Sequence, residues 1–245
     1  MRFPTREAAG ITAGRVSGNR NVAPGARAKS PWRRARDGRP GLKNGISNGK
    51  RSGSRKGPNG FPPHQRPTGR HISVTPRNSA VRHLAYGRII LNATTPAESF
   101  ATEDRETGLI CLSGQATVRV GAHEAQLGPY DAIYIPRDAS VEIMAKASVD
   151  FAEFSTDVTN HYPLQVVRFS EVSKDPGLKF STGGSGCTRH LNMLLAENIE
   201  AGRLIAGFTD SEPGNWTSWP PHEHAAMLEE IYVYFNMPDP AFGIQ

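Results

Sequence analysis

Two histidines and a glutamate lie close together near residue 230 and have the spacing of a metal site. His222 and His224 are two residues apart, and Glu230 begins the segment Glu-Ile-Tyr-Val-Tyr-Phe. Because alternate side chains of a β-strand point the same way, both imidazoles can face one cavity. Two imidazoles and a carboxylate bind zinc, iron, manganese or nickel and leave coordination positions open for a substrate. The pattern therefore predicts a catalytic metal site.

The residues around this motif predict a strand with one polar face. Two prolines, Pro220 and Pro221, fix an extended approach and withhold backbone donors. A buried glutamate is costly unless it is paired or coordinated, so a carboxylate on a strand favours ligation over packing. After the histidines, apolar side chains alternate with polar ones: Ile231, Val233 and Phe235 against Glu230, Tyr232 and Tyr234.

The charge of the chain is divided very unevenly. Residues 1–71 hold 17 basic and 2 acidic side chains, a net charge of +15, and residues 72–245 hold 12 basic and 21 acidic, a net charge of −9. The first segment is rich in Gly, Pro and Arg with few apolar residues, so we predict a disordered tail. Its composition suits a tether for anionic surfaces, a targeting peptide, or upstream sequence joined by a misplaced start codon. The last is favoured, because the acidic body repels nucleic acid and the tail has few aromatic residues for base stacking.

Other features of the composition exclude some classes of protein. No run of about 18 apolar residues occurs, so no membrane partner is expected. Cys111 and Cys187 are too few for a disulfide framework and suit a reducing cytoplasm. Cys111 lies in the apolar run Gly-Leu-Ile-Cys-Leu and is predicted to be a core residue.

From residue 72 the sequence predicts an all-β fold. Short segments bounded by Gly, Pro or Asp turns indicate an antiparallel barrel or sandwich, with strands at 88–92, 107–112, 116–120, 124–127, 132–135 and 141–144. The stretch from Ser113 to Pro136, a glycine turn followed by a hairpin and a strand ending at proline, resembles the cupin barrel. A second copy begins near Arg189. We therefore predict a bicupin of two jelly-roll barrels, with residues 72–170 forming the first.

The resemblance to the cupin motif also assigns the metal to the second barrel. The equivalent positions of the first barrel fall near Ser99 and Ala101 for the two histidines, on Thr107 for the glutamate and on Val141 for the later histidine, and none of these residues binds a metal well. Residues 171–245 would then be the N-terminal part of a metal-binding barrel. The chain ends at Gln245, before the strand that usually brings a fourth ligand, so this barrel is expected to be incomplete.

Three segments together, 200–207, 213–224 and 228–238, resemble the bicupin sugar-acid isomerases. This family includes the 5-deoxy-glucuronate isomerases of myo-inositol catabolism, to which the resemblance is closer, and the hexuronate ketol-isomerases of pectin breakdown. The resemblance implies conversion of 5-deoxy-D-glucuronate to 2-deoxy-5-keto-D-gluconate on a divalent metal, zinc first and Mn²⁺ or Fe²⁺ as alternatives. The implied partner is a small sugar acid, and a homo-oligomer is an option.

The resemblance implies roles for further residues. His222, His224 and Glu230 would hold the metal, which polarises the carbonyl and stabilises an enediolate. A base must move a proton between adjacent carbons, and the candidates are Glu223, Glu229, Tyr232 and Tyr234. Arg189 or Arg203 is a candidate for gripping the substrate carboxylate. Two other functions stay open: an iron-dependent cupin dioxygenase and a non-catalytic sugar-binding cupin.

Overall fold

The computed structural model describes residues 8–15, 67–217, 219 and 228–236. Within these ranges the chain is almost entirely β-structure, which confirms the predicted all-β class. No helix in the described part of the chain has the length and apolar character to cross a membrane. The elements are β1 (Ala8–Arg15), β2 (Gly69–Val74), β3 (Ala85–Leu91), β4 (Ala97–Ala101), β5 (Arg105–Ser113), β6 (Ala116–Val120), β7 (His123–Leu127), β8 (Ala132–Ile135), β9 (Ser140–Met144), β10 (Val149–Asp157), β11 (Gln165–Val167), α1 (Phe169–Val172), β12 (Lys179–Thr182), β13 (Arg189–Leu195), β14 (Leu204–Ser211) and β15 (Glu230–Phe235).

The described strands form three antiparallel sheets. The four-stranded sheet has the order β4-β9-β6-β7, and the six-stranded sheet has the order β11-β8-β5-β10-β3-β2. These two sheets hold all the strands between residues 69 and 167. The five-stranded sheet has the order β12-β13-β14-β1-β15 and gathers strands from both ends of the chain.

Two apolar cores separate the three sheets. The first lies between the four- and six-stranded sheets and includes Leu109, Cys111 and Phe151. The second lies between the six- and five-stranded sheets and includes Ile110 and Phe208. Because β5 belongs to the middle layer, it is buried on both faces, which explains its continuous apolar run. The prediction that Cys111 is a core residue is confirmed, and burial raises the pKa of its thiol to about 12.

The predicted strands match the observed ones best where apolar side chains dominate. The strands at 116–120 and 132–135 agree with the structure residue for residue. Sequence reasoning missed β10, whose buried face contains a charged residue, Glu153. This carboxylate is buried because it accepts two hydrogen bonds from the Arg70 guanidinium, at 2.8 and 2.7 Å.

Among the described residues, two parts of the segment predicted to be disordered are strands: β1, and the first three residues of β2. Strand β1 lies between β14 and β15 and is antiparallel to both. In the six-stranded sheet, β10 holds the equivalent position between β3 and β5. The backbone N–H and C=O groups of β14 and β15 need hydrogen-bond partners. The segment Ala-Ala-Gly-Ile-Thr-Ala-Gly-Arg can supply them because it has no proline to interrupt the pairing. An average composition over 71 residues hides this short segment.

Candidate functional site

The two halves of the chain repeat one arrangement, which locates the candidate site by equivalence. Strands β3 and β14 both begin next to a Leu-x-x-Gly segment, Leu84 to Gly87 and Leu204 to Gly207. An added Cβ would lie 2.6 Å from a β2 carbonyl oxygen at Gly87 and 2.3 Å from a β13 carbonyl oxygen at Gly207. Both glycines are therefore required by the close approach of a neighbouring strand.

Strand pairing extends this equivalence to β5 and β15. In the first repeat Glu153 of β10 pairs with Gly87 and Leu109. In the second, residue 12 of β1 pairs with Gly207 and Tyr232. Tyr232 therefore corresponds to Leu109, and Glu230 corresponds to Thr107, the position at which the cupin motif places the glutamate ligand.

Glu230, the candidate metal-binding carboxylate, is the first residue of β15 and is half-buried. Ile231 and Val233 pack against the core between the six- and five-stranded sheets. Since side chains alternate along a strand, Glu230, Tyr232 and Tyr234 share the opposite face. The other two candidate ligands, His222 and His224, lie outside the described residues.

The two tyrosines of this face lie at different distances from Glu230. At about 3.3 Å per residue, Tyr232 is about 7 Å along the strand from Glu230 and Tyr234 about 13 Å. Burial raises the pKa of Tyr234, so this phenol is protonated at neutral pH. Of the two phenols, Tyr232 therefore lies closer to Glu230.

The two candidate arginines lie at different distances from Glu230. Arg189 pairs with Ser211, whereas Glu230 lies level with Ile205 across β1. Six residues of β14 separate these levels, about 20 Å along the strand direction. Arg203 lies near the Glu230 end of the sheet, but its guanidinium donates to the Asp157 carboxylate and to the Asp157 carbonyl oxygen at 3.0 Å. Arg189 is therefore far from Glu230 along the strands, and the Arg203 guanidinium is already paired with Asp157.

Glu229, a candidate base, is engaged by the backbone of the first repeat. Its carboxylate accepts hydrogen bonds from the amide of Arg82 and from the amides of His83 and Leu84, at 2.9 and 2.8 Å. Burial by itself would raise the pKa of Glu229, but the three amides and the nearby His83 lower it below its ordinary value. A carboxylate that is so well satisfied is a weak proton acceptor, and this geometry favours an anchoring role over proton transfer.

A second glutamate makes the matching contacts in the opposite direction. Glu106 in β5 is fully buried and accepts hydrogen bonds from the amides of Gly202, Arg203 and Leu204 at 2.8, 2.6 and 2.9 Å. It also accepts the hydroxyl of Tyr134 at 2.7 Å. Burial, followed by this hydrogen bond, raises the pKa of the phenol. Sequence reasoning missed Glu106. Its position before Thr107 is equivalent to that of Glu229 before Glu230, and this equivalence could have identified it.

Asp157 also makes polar contacts with both repeats. Its carboxylate lies 3.2 Å from the Nδ1 atom of His83 and also pairs with Arg203. Burial by itself would raise the pKa of Asp157, but the hydrogen bond with His83 and the charge of Arg203 hold it below its ordinary value. His83 and Arg203 occupy equivalent positions before β3 and β14, so one carboxylate joins both repeats.

The structure shows which residues of β4 point inward in the first repeat. Ser99 and Ala101, taken from the cupin motif as the histidine-equivalent positions, are exposed on β4. Phe100 instead packs against the core, and the Arg70 guanidinium lies 4.0 Å from its ring centroid. The inward positions of β4 are therefore Glu98 and Phe100, one residue away from the positions taken from the motif. Among the described residues, no group of three or more His, Cys, Asp or Glu side chains has the geometry of a metal site.

Comparisons with known proteins agree with this architecture. The 4-deoxy-L-threo-5-hexosulose-uronate ketol-isomerase of Opitutus terrae is 31% identical over 144 residues, which are 56% of this chain and 50% of that protein. The 5-deoxy-glucuronate isomerase of Geobacillus thermodenitrificans is 25% identical over 198 residues, which are 72% of this chain and 69% of that protein. The chain thus spans about half the length of the first of these relatives and about two thirds of the second.

A solved structure shows the same fold. The crystal structure of an IolB-like protein from Salmonella typhimurium LT2 superposes with a TM-score of 0.56 at 18% identity, covering 63% of this chain and 60% of that chain. Residues 61–245 match the KduI/IolB family, a range that contains the predicted metal motif and every described strand except β1. Because this match covers most of the chain and agrees with the repeated all-β fold, the chain belongs to the KduI/IolB family.

Proposed function

We propose that this chain is a divalent-metal-dependent aldose–ketose isomerase of a sugar acid, or the part of one that carries the metal ligands. The observation that carries the proposal is the polar face of β15, where Glu230 and Tyr232 lie opposite an apolar face packed into the core. Family membership and relatives named as sugar-acid isomerases support the same reaction class.

The donor set fits a divalent metal such as Zn²⁺, Mn²⁺ or Fe²⁺. His222, His224 and Glu230 supply two nitrogen ligands and one oxygen ligand, which leaves coordination positions open. When bound, the metal would polarise the substrate carbonyl and stabilise the negative charge that develops on its oxygen.

We assign different roles to the other candidate residues. Tyr232 shares the face of Glu230 and is placed to donate a hydrogen bond to a sugar hydroxyl. Glu229 is held by three backbone amides, so we assign it to anchoring. Arg203 is held by Asp157, and Arg189 lies about 20 Å away along the strands, so the cation for the substrate carboxylate is not taken from this pair.

Two sugar acids are candidate substrates. The first is 5-deoxy-D-glucuronate, which the motif around residues 213–238 favours and which names the relative with the longer match. The second is 4-deoxy-L-threo-5-hexosulose uronate, which the higher identity to the ketol-isomerases favours. Self-association of the chain remains a prediction.

The test combines metal binding with turnover. The full chain is titrated with Zn²⁺, Mn²⁺ and Fe²⁺, and conversion of both sugar acids is followed with and without a chelator. We expect chelator-sensitive turnover, and a loss of at least about 100-fold in kcat/KM for Glu230→Gln and for His222→Ala. The matched control is Glu212→Gln, a carboxylate next to His190 on β13, which should change little.

Three results would contradict the proposal. A wild-type chain that binds no divalent metal would remove its basis. Sugar binding without turnover would indicate a non-catalytic cupin, and oxygen consumption with iron would indicate a dioxygenase.

A further inference from the structure

Two glutamates, one in each repeat, each accept three backbone amides of the other repeat, and we call these two sets of contacts carboxylate clamps. Glu229 of the second repeat accepts the amides of residues 82, 83 and 84, which precede β3. Glu106 of the first repeat accepts the amides of residues 202, 203 and 204, which precede β14. Each set of three amides ends at the leucine of a Leu-x-x-Gly segment, so the two clamps occupy equivalent positions in the two repeats. In one clamp the second repeat supplies the carboxylate, and in the other the first repeat does.

Each clamp joins parts of the chain that are distant in sequence. Leu84 and Glu229 are 145 residues apart, and Glu106 and Leu204 are 98 residues apart. Three amides converging on one carboxylate form charge-assisted hydrogen bonds, which are stronger than neutral ones. Such contacts hold the start of a strand in one repeat against the other repeat.

The clamp at Glu229 also fixes the neighbouring candidate ligand. Glu229 points toward the first repeat, and Glu230 is the next residue, so its side chain points the other way. A slip of one residue at this point would exchange the two carboxylates between the two faces. We propose that Glu229 is a positioning residue, which holds the start of β15 in register against the first repeat and thereby directs Glu230 into the metal site. The ligand part of this inference rests on the proposed function.

The equivalent clamp provides the matched control. Glu106 holds the start of β14, a strand that supplies none of the proposed ligands. Loss of either carboxylate removes the same number of backbone contacts. The two variants therefore separate a general loosening of the contact between repeats from a specific effect on Glu230.

The experiment compares Glu229→Gln, Glu229→Asp and Glu106→Gln in the full chain. Amide hydrogen exchange is measured without metal, and Zn²⁺ affinity is measured by titration calorimetry. We expect Glu229→Gln to speed exchange of the β15 amides at least tenfold and to weaken Zn²⁺ binding about 10- to 100-fold, the range found when groups that orient a metal ligand are removed. Glu106→Gln should speed exchange in β14 while leaving Zn²⁺ affinity within about twofold, and Glu229→Asp should recover part of both losses.

Hydrogen exchange decides the inference even without metal. If Glu229→Gln leaves exchange in β15 at the wild-type rate, the positioning role is wrong. If the β15 amides exchange faster but Zn²⁺ affinity falls equally in both glutamine variants, the clamp is structural only, and the specific role for Glu230 is overturned. A wild-type chain without Zn²⁺ affinity would reject the proposed function, while the exchange data would still decide whether Glu229 holds β15.

Discussion

Replacing Glu106 with glutamine tests the buried clamp most directly. One carboxylate oxygen accepts the amides of Arg203 and Leu204, and the other accepts the amide of Gly202 and the hydroxyl of Tyr134. Glutamine keeps one acceptor oxygen and replaces the other with an NH₂ group. The Tyr134 hydroxyl can rotate to accept from this group, but one backbone amide is left facing a donor.

The expected loss follows from those contacts. A buried unpaired amide costs about 1–3 kcal/mol, and loss of the charge weakens the remaining hydrogen bonds by roughly 1–2 kcal/mol. The free energy of unfolding should therefore fall by about 2–5 kcal/mol, a large part of the roughly 5–15 kcal/mol typical of a folded domain.

Urea unfolding followed by circular dichroism measures this loss. Tyr134→Phe is the control, because it removes one hydroxyl donor but leaves the three amides paired, and it should reduce the free energy of unfolding by only about 0.5–1.5 kcal/mol. If Glu106→Gln proves no less stable than Tyr134→Phe, the clamp contributes little and the reasoning fails.

Three other features of the fold can each be tested by one substitution or labelling experiment. Because the pKa of Asp157 is lowered on folding, its ionised form stabilises the protein above its ordinary pKa of 3.8, and this stabilisation is lost as the pH falls through the lower folded value. The difference in thermal midpoint between wild type and Asp157→Asn should therefore shrink from pH 7 to pH 3. A difference that stays constant would contradict this prediction. Burial raises the pKa of the Cys111 thiol to about 12, so iodoacetamide at pH 8 should label the half-buried Cys187 first, as peptide mass spectrometry can show, and equal labelling would count against a closed core. A proline at residue 11 removes a backbone donor from a strand with neighbours on both sides, so Ile11→Pro should speed hydrogen exchange in β14 and β15, and unchanged exchange would show that β1 does not hold this position.

Local pattern was sufficient for much of the fold. Strands such as 116–120 and 132–135 were predictable because alternating or continuous apolar residues between turns specify a strand without reference to the rest of the chain. β10 was not predictable in this way, because its buried Glu153 is compensated by Arg70, 83 residues away. β1 was also missed, because its position depends on the open ladders of β14 and β15 and not on its own composition.

For the candidate site, the sequence by itself determined which face of β15 carries the polar side chains. Alternation along one strand is a local property, so it was enough to place Glu230, Tyr232 and Tyr234 together, opposite Ile231 and Val233. The roles of the neighbouring charges depended on tertiary structure. Which carboxylate anchors the two repeats and which arginine is already paired depend on backbone amides and side chains about 50 to 150 residues away. Only the folded chain brings these groups within hydrogen-bonding distance.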